Sequence, residues 1–268
     1  MTNLNKEKLN NQLAAARFVI AQSGKNPRQL GRESRLKILK WIYSWGYTSS
    51  SIGQLLLNRT SGGYMQKLAK QNWLVATKTK SGLPASYFTL SQIGLEDAER
   101  HSLTLFKYVE VDQFKVEQSK IRHYLIAQES TIRALESGVI VDYETERMFL
   151  RRGDMLGLKR PDIVWVTNLG SRLGVEIELS AKWERLLDDF ILKIVRALKS
   201  NDDTKPEFNR FIIISDSQAI LKRYRDAMQP GAEVSSWVKN SRGHWIVDKT
   251  YKIPAWLITQ IDFQLVES

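Results

Sequence analysis

Residues 160–182 read RPDIVWVTNLGSRLGVEIELSAK. Two apolar, β-branched runs, RPDIVWVT and RLGVEIELS, flank the turn-forming Asn168-Leu169-Gly170. The spacing predicts two strands joined as a tight antiparallel pair. Side chains alternate along a strand, so Glu176 and Glu178 share one face. Asp162 opens the first strand behind Pro161, and the hairpin carries it toward both glutamates. Lys182 stands six residues after Glu176, where strand gives way to helix. Three carboxylates converging at one strand end offer the hard oxygen ligands that Mg²⁺ or Mn²⁺ takes. Such an ion would hold a phosphate oxygen, lower the pKa of a bound water and offset charge developing in the transition state. Lys182 would orient the water or stabilise the pentavalent phosphate. Against this stands a plainer reading: Glu176 and Glu178 on the solvated face of an edge strand, above buried Val175, Ile177 and Leu179, with Asp162 an ordinary strand-start residue. The combined order, PD on one strand and ExE on the next before a helix, favours the metal site.

Outward from this pair, Ile121, Leu125, Ile132 and Leu135 recur at helical spacing and predict a helix from about Val116 to Ser137, stopped by Gly138. VIVDYETE, residues 139–146, reads as a strand. On the far side, Trp183, Leu186, Leu187, Phe190, Ile191, Ile194, Val195 and Leu198 form one apolar helical face. RFIIISD, residues 210–216, reads as a buried strand. A helix around Gln218–Met228 and strands near His244–Val247 and Trp256–Leu265 follow. The order is α-β-β-β-α-β with later additions, a mixed α/β domain.

The first hundred residues differ in charge. They hold fifteen Lys and Arg against five Asp and Glu, a net +10, while residues 101–268 hold 25 against 24. Such asymmetry points to a polyanion-binding module, the alternative being a solvated basic face. Asn26-Pro27 and Gly31 read as a break. RESRLKILKWIYSW is helical up to Gly46, and Thr48 suits the N-cap of a short second helix burying Ile52, Leu55 and Leu56. A third helix is expected from about Arg59, with Met65 and Leu68 inward and Arg59, Thr60, Ser61, Gln66, Lys67, Lys70 and Gln71 on its polar face. WLVATKTKSGLPASYFTL then gives two strand-like runs around Lys80-Ser81-Gly82, and a helix from Ser91 to about Arg100 closes the unit. Three helices and a hairpin follow the order of a winged helix-turn-helix. Its third helix would enter the major groove of double-stranded DNA, with Lys78 and Lys80 at the wing touching phosphates. Winged helices also serve protein contacts and dimerisation.

The whole chain therefore reads as α+β: a winged-helix DNA-binding domain with an N-terminal extension over residues 1–100, then an α/β domain over residues 101–268. Without cysteine it can form neither disulfides nor thiolate metal sites, which makes the cytoplasm the default location. No apolar run approaches the roughly 20 residues of a membrane span, and the polar-interrupted opening reads as no secretory signal. A phosphate-binding GxxxxGK[ST] loop is missing, which speaks against ATP-driven work. His101, His123 and His244 are scattered; His123, on a helix, reads as a surface or satisfied core residue rather than a ligand. The eight tryptophans are expected to pack cores rather than stack bases.

PD, thirteen residues, then ExE followed by Lys182 resembles the PD-(D/E)xK superfamily of restriction-type nucleases. Glu178 stands where that superfamily commonly has its lysine, and Lys182 is the candidate for the displaced one. The superfamily often adds an acidic residue from an earlier element; Glu146 is the candidate here, with Glu144 its rival. A winged helix ahead of such a domain, over residues 34 to 230, resembles the replication-relaxation or MOBC group of plasmid mobilisation relaxases. That resemblance implies strand-specific nicking at a plasmid transfer origin, within a relaxosome that a coupling protein recruits. Two alternatives stay open. One is a site-specific nuclease of a restriction or transposition system. The other is a non-enzymatic replication or transcription regulator whose second domain is a degenerate nuclease fold.

Overall fold

The computed structural model describes residues 24–106, 111–149, 160–199 and 206–266. The chain divides into two compact units, residues 1–116 and 117–268. The segment just past the expected boundary at residue 100 stays with the first unit. There the Phe106 ring stacks on Tyr43 at 4.6 Å, and its N–H donates to the Tyr43 hydroxyl at 2.7 Å.

The first unit runs α1 (Pro27–Trp45), β1 (Thr48–Ser49), α2 (Ser50–Leu56), α3 (Tyr64–Lys70), β2 (Leu74–Lys78), β3 (Ser86–Leu90) and α4 (Gln92–Arg100). β3 lies between β1 and β2 and is antiparallel to both. Ile38, Leu39, Ile42, Tyr43, Leu68 and Phe88 are buried at the centre. Asn26-Pro27 is a helix start, not a break. The Asn26 side chain accepts from the Gln29 N–H at 2.9 Å, the Gln29 side chain accepts from the Asn26 N–H at 3.0 Å, and Pro27 needs no donor in the first turn. Gly31 accordingly rides inside α1. Thr48 is used up in β1, and Ser49 takes the cap of α2, accepting from the Ile52 N–H at 3.3 Å. α3 begins at Tyr64 rather than near Arg59, because Gly63 holds a left-handed φ of 90° that no continuing helix permits.

The second unit runs α5 (Ile121–Glu136), β4 (Asp142–Thr145), α6 (Glu146–Phe149), β5 (Ile163–Val166), β6 (Arg172–Ile177), α7 (Glu184–Leu198), β7 (Arg210–Ser215), α8 (Gln218–Ala227), β8 (Glu233–Lys239), β9 (Trp245–Lys252) and β10 (Ile261–Leu265). Five strands form one mixed sheet in the order β10-β7-β6-β5-β4. β10, β7 and β6 run parallel; β5 and β4 complete it antiparallel. β8 and β9 pair as a separate antiparallel ribbon. Leu187, Phe190, Ile191 and Ile194 of α7 and Leu221 and Tyr224 of α8 share one core with Val164, Phe211 and Ile213 of the sheet. Gly174 of β6 is fitted to that core: a Cβ there would meet the Phe211 ring at 2.5 Å.

The fold is thus α+β, with the expected helix, three strands, helix and strand in order, except that α6 opens at Glu146, the last residue of the expected strand over 139–146, and separates β4 from β5. Three further details differ. A short 3₁₀ turn at Gln118–Lys120 occupies what reads as the start of α5, and another precedes it at Gln113–Lys115. A 3₁₀ turn at Leu257–Gln260 delays the last strand, expected from Trp256, to Ile261. Strand β8 escapes the pattern, since Ser235 and Ser236 interrupt its apolar alternation. Among the described residues, no helix is long and apolar enough to cross a membrane.

Candidate active-site cleft

β6 is the strand on which the site is built, and it is no edge: β5 flanks it on one side and β7 on the other. Its burial therefore does not alternate. Glu176 is 2% and Glu178 4% exposed, so the solvated-face reading of the two glutamates fails. Burying two carboxylates this deeply is costly unless cations or donors face them.

The β5–β6 ladder pairs Ile163 with Val175, which brings Asp162, one residue outward, level with Glu176. Oδ2 of Asp162 accepts the Ile177 N–H at 2.8 Å. Glu178 lies just past the strand, its N–H donating to the Ile214 carbonyl at 2.8 Å, so the β6–β7 ladder fixes its backbone. The Glu178 carboxylate accepts from the Lys182 ammonium on one oxygen and from the Tyr224 hydroxyl, at 2.7 Å, on the other. Burial, and then the charge and hydrogen bond of Glu178, push the Tyr224 phenol far above its ordinary range, so it stays a donor. Lys182 also lies 4.7 Å from the Phe190 ring.

Asp162, Glu176, Glu178 and Lys182 line an open cleft of about 550 Å³, together with Ser119, Lys120, Arg122, His123 and Tyr124 of the α5 entrance and Glu146. All five residues singled out for chemistry, Asp162, Glu176, Glu178, Lys182 and Glu146, thus line one space. Glu146 accepts from the Tyr124 hydroxyl. Its rival Glu144 is drawn away by Arg172, 2.8 Å from its carboxylate, and does not line the cleft.

His123 is the main residue that sequence reasoning passed over. Its Nε2 lies 3.1 Å from Oδ2 of Asp162, and its Nδ1 is buried with no hydrogen-bond partner among the described residues. Burial alone would lower the imidazole pKa. The hydrogen bond and charge of Asp162, with help from Glu178 and the Ile177 backbone, outweigh it and raise the value above the ordinary range. A signal existed in KIRHY, residues 120–124, where four polar or cationic side chains crowd the first turn of a helix. Tyr224, by contrast, carries no local mark of its partnership with Glu178.

Trp183 is a second correction. It is 61% exposed and precedes α7 in an extended conformation, so it does not belong to the buried face on which Leu187, Phe190 and Ile191 sit; Leu186, too, is exposed.

Among the described residues, no three His, Asp or Glu side chains stand grouped as they would around a metal ion. The carboxylates are instead engaged by neighbours: Asp162 by His123 and the Ile177 N–H, Glu178 by Lys182 and Tyr224.

In the first unit, Arg59, Thr60, Ser61, Gln66, Lys67, Lys70, Lys78 and Lys80 are all exposed. Gln66, Lys67 and Lys70 lie on α3, while Arg59, Thr60 and Ser61 sit in the turn ahead of it. Arg59 stacks 4.0 Å over the Tyr64 ring at the start of α3. Lys78 ends β2, and Lys80 lies in the loop to β3.

No protein-family model, curated protein or solved structure matches the chain.

Proposed function

We propose that this protein is a metal-dependent DNA endonuclease, with a winged-helix first unit that holds duplex DNA and a PD-(D/E)xK-type second unit that cuts it. One observation carries the reading: Asp162, Glu176, Glu178 and Lys182, picked out by spacing alone, line a single open cleft at one end of a central hairpin. The donor set fits a divalent cation by charge. Asp162, Glu176, Glu178 and Glu146 line the same cleft, with Lys182, Lys120, Arg122 and His123 as its cationic residues. Arg122 is itself paired with Asp216. Hard carboxylate oxygens are the ligands that Mg²⁺ or Mn²⁺ takes; with no three of these side chains grouped around one point among the described residues, an ion would have to draw them together.

Asp162, Glu176 and Glu178 would hold the ion, which when bound supplies Lewis acidity toward a phosphodiester and its attacking water. Lys182 would exchange its contact with Glu178 for one with the phosphate, offsetting charge as it develops there. His123 positions the Asp162 carboxylate through the same oxygen that accepts the Ile177 N–H of β6. Glu146, held by Tyr124, is the remaining acidic group within reach of a water. Among the described residues that line the cleft the one tyrosine is Tyr124, whose hydroxyl donates to Glu146, and Tyr224, which does not line it, donates to Glu178. Hydrolysis to a 5′-phosphate and a 3′-hydroxyl follows, rather than a tyrosyl–DNA adduct. Strand nicking at a plasmid transfer origin, as in MOBC relaxases, is the biological setting that the domain order favours.

Supercoiled plasmid carrying a candidate transfer origin is the test. Nicking with Mn²⁺, none in excess chelator, none with Asp162→Ala or Glu176→Ala, and a nick that ligase reseals are the expected results. Full activity of Asp162→Ala, or a protein–DNA adduct that survives denaturant, would sink the reading. A second reading, a non-enzymatic DNA-binding regulator, is favoured by the internal pairing of Glu178 with Lys182 and of Asp162 with His123. It predicts no cleavage with any divalent ion.

A further inference from the structure

Beside the cleft stands a set of groups that cleavage chemistry leaves unused. Trp183 follows Lys182 directly and is 61% exposed. Arg223 of α8 sets its guanidinium 3.3 Å from the centre of that indole, and its Nε donates to the Lys182 carbonyl at 2.9 Å. Glu184 then adopts a φ of 43°, a left-handed conformation that costs a non-glycine residue energy and persists only where the surroundings impose it. One residue further, Arg185 lies 4.2 Å over the ring of Trp245 on β9, which is 46% exposed, and Lys239 approaches the same ring at 5.3 Å. The ribbon bearing Trp245 is anchored to α7, where Trp237 Nε1 donates to Asp188 at 2.7 Å. Residues 182–185 thus lead from the lysine of the cleft to two exposed indoles, each with a cation on its face.

This pairing decides what the surface fits. An apolar protein partner would cover the rings but leave Arg223, Arg185 and Lys239 desolvated without anions. Duplex DNA offers phosphates, but its bases are stacked internally and cannot reach an indole. Single-stranded DNA offers both, because its free bases stack on aromatic rings while its phosphates meet the cations. We propose that Trp183 with Arg223, and Trp245 with Arg185, form a track that binds single-stranded DNA running past Lys182. The proposal rests on the nuclease reading and adds the form of substrate the cleft accepts: a strand unpaired on one side of the cut.

The experiment uses the full chain carrying Asp162→Ala, in chelator, so that no cleavage intervenes. Labelled oligothymidylate of about 20 nucleotides and a labelled duplex are titrated separately by fluorescence anisotropy. Adding Trp183→Ala and Trp245→Ala together should weaken single-strand binding about tenfold or more and leave duplex binding within about twofold. Phenylalanine at both positions should recover most of the loss, since a smaller ring still stacks. Unchanged single-strand affinity, an equal loss for both DNA forms, or no recovery by phenylalanine would each overturn the track. The nicking assay is independent of it: nicking with no single-strand effect removes only the track, and a single-strand effect without nicking removes only the nuclease reading.

Discussion

Nε2 of His123, on the first turn of α5, lies 3.1 Å from Oδ2 of Asp162, the residue that leads into β5. The contact ties the helix to the hairpin at the acidic residue on which the proposed chemistry turns. Because Asp162 raises the His123 pKa above the ordinary 6.5, the protonated pair adds stability to the folded chain. The group binds its proton more tightly folded than unfolded, so that contribution is full below the unfolded pKa of about 6.5 and is lost as pH rises through the higher folded value. With chelator present, His123→Gln should lower the melting temperature more at about pH 5.5 than at about pH 8.5. A deficit equal at both would show that folding leaves the His123 pKa unshifted, and one larger at high pH that the imidazole is held neutral.

Lys182 would compete with an ion for a carboxylate oxygen of Glu178. Lys182→Met should therefore bind Mn²⁺ more tightly by calorimetry while cleaving DNA slower by about 100-fold, because the phosphate loses its cation. Weaker metal binding in this variant would mean that the lysine helps to hold the site rather than to serve the phosphate.

Lys67 and Lys70 sit one helical turn apart on α3, both exposed. Replacing both with alanine should weaken duplex binding across unrelated sequences. It should also reduce the slope of log affinity against log salt by about 0.9 for each phosphate contact removed. An unchanged slope would place the duplex elsewhere on the protein.

Gly174 leaves no room for a side chain beneath Phe211. Gly174→Ala should cost about 1–3 kcal/mol in urea unfolding, the usual range for overpacking a tight core. A neutral effect would mean that Phe211 can swing aside.

How far the site was legible follows from where its information lies. Asp162, Glu176 and Glu178 could be read because a five-residue turn joins their strands, so period-two alternation and pair order suffice. Glu146 could not be separated from Glu144 by alternation, since both have the same parity. The choice is made by Arg172, which captures Glu144 from across the sheet. Tyr224 reaches Glu178 from 46 residues away, and His123 reaches Asp162 from 39, distances over which no local period carries a signal. The start of α3 escapes local reading because polar Arg59, Thr60 and Ser61 suit a helix face, whereas Gly63, with its left-handed φ, decides the boundary.

The position of β6 has a consequence for how the second unit assembles. Its antiparallel partner β5 lies across a short turn, whereas its parallel partner β7 comes only after α7 has crossed over. Closing the short turn costs little chain entropy, so the hairpin is expected to form first, and the long crossover later. Asp162 and Glu176 then meet while still in water, where repulsion is weak, and the arrival of β7 and α7 afterwards seals Glu176 and Glu178 from solvent. The slow stage of folding is thus the one that must dehydrate negative charge. Mild acid or millimolar Mg²⁺ should speed refolding of the wild type, and Glu176→Gln should blunt that acceleration in stopped-flow measurements.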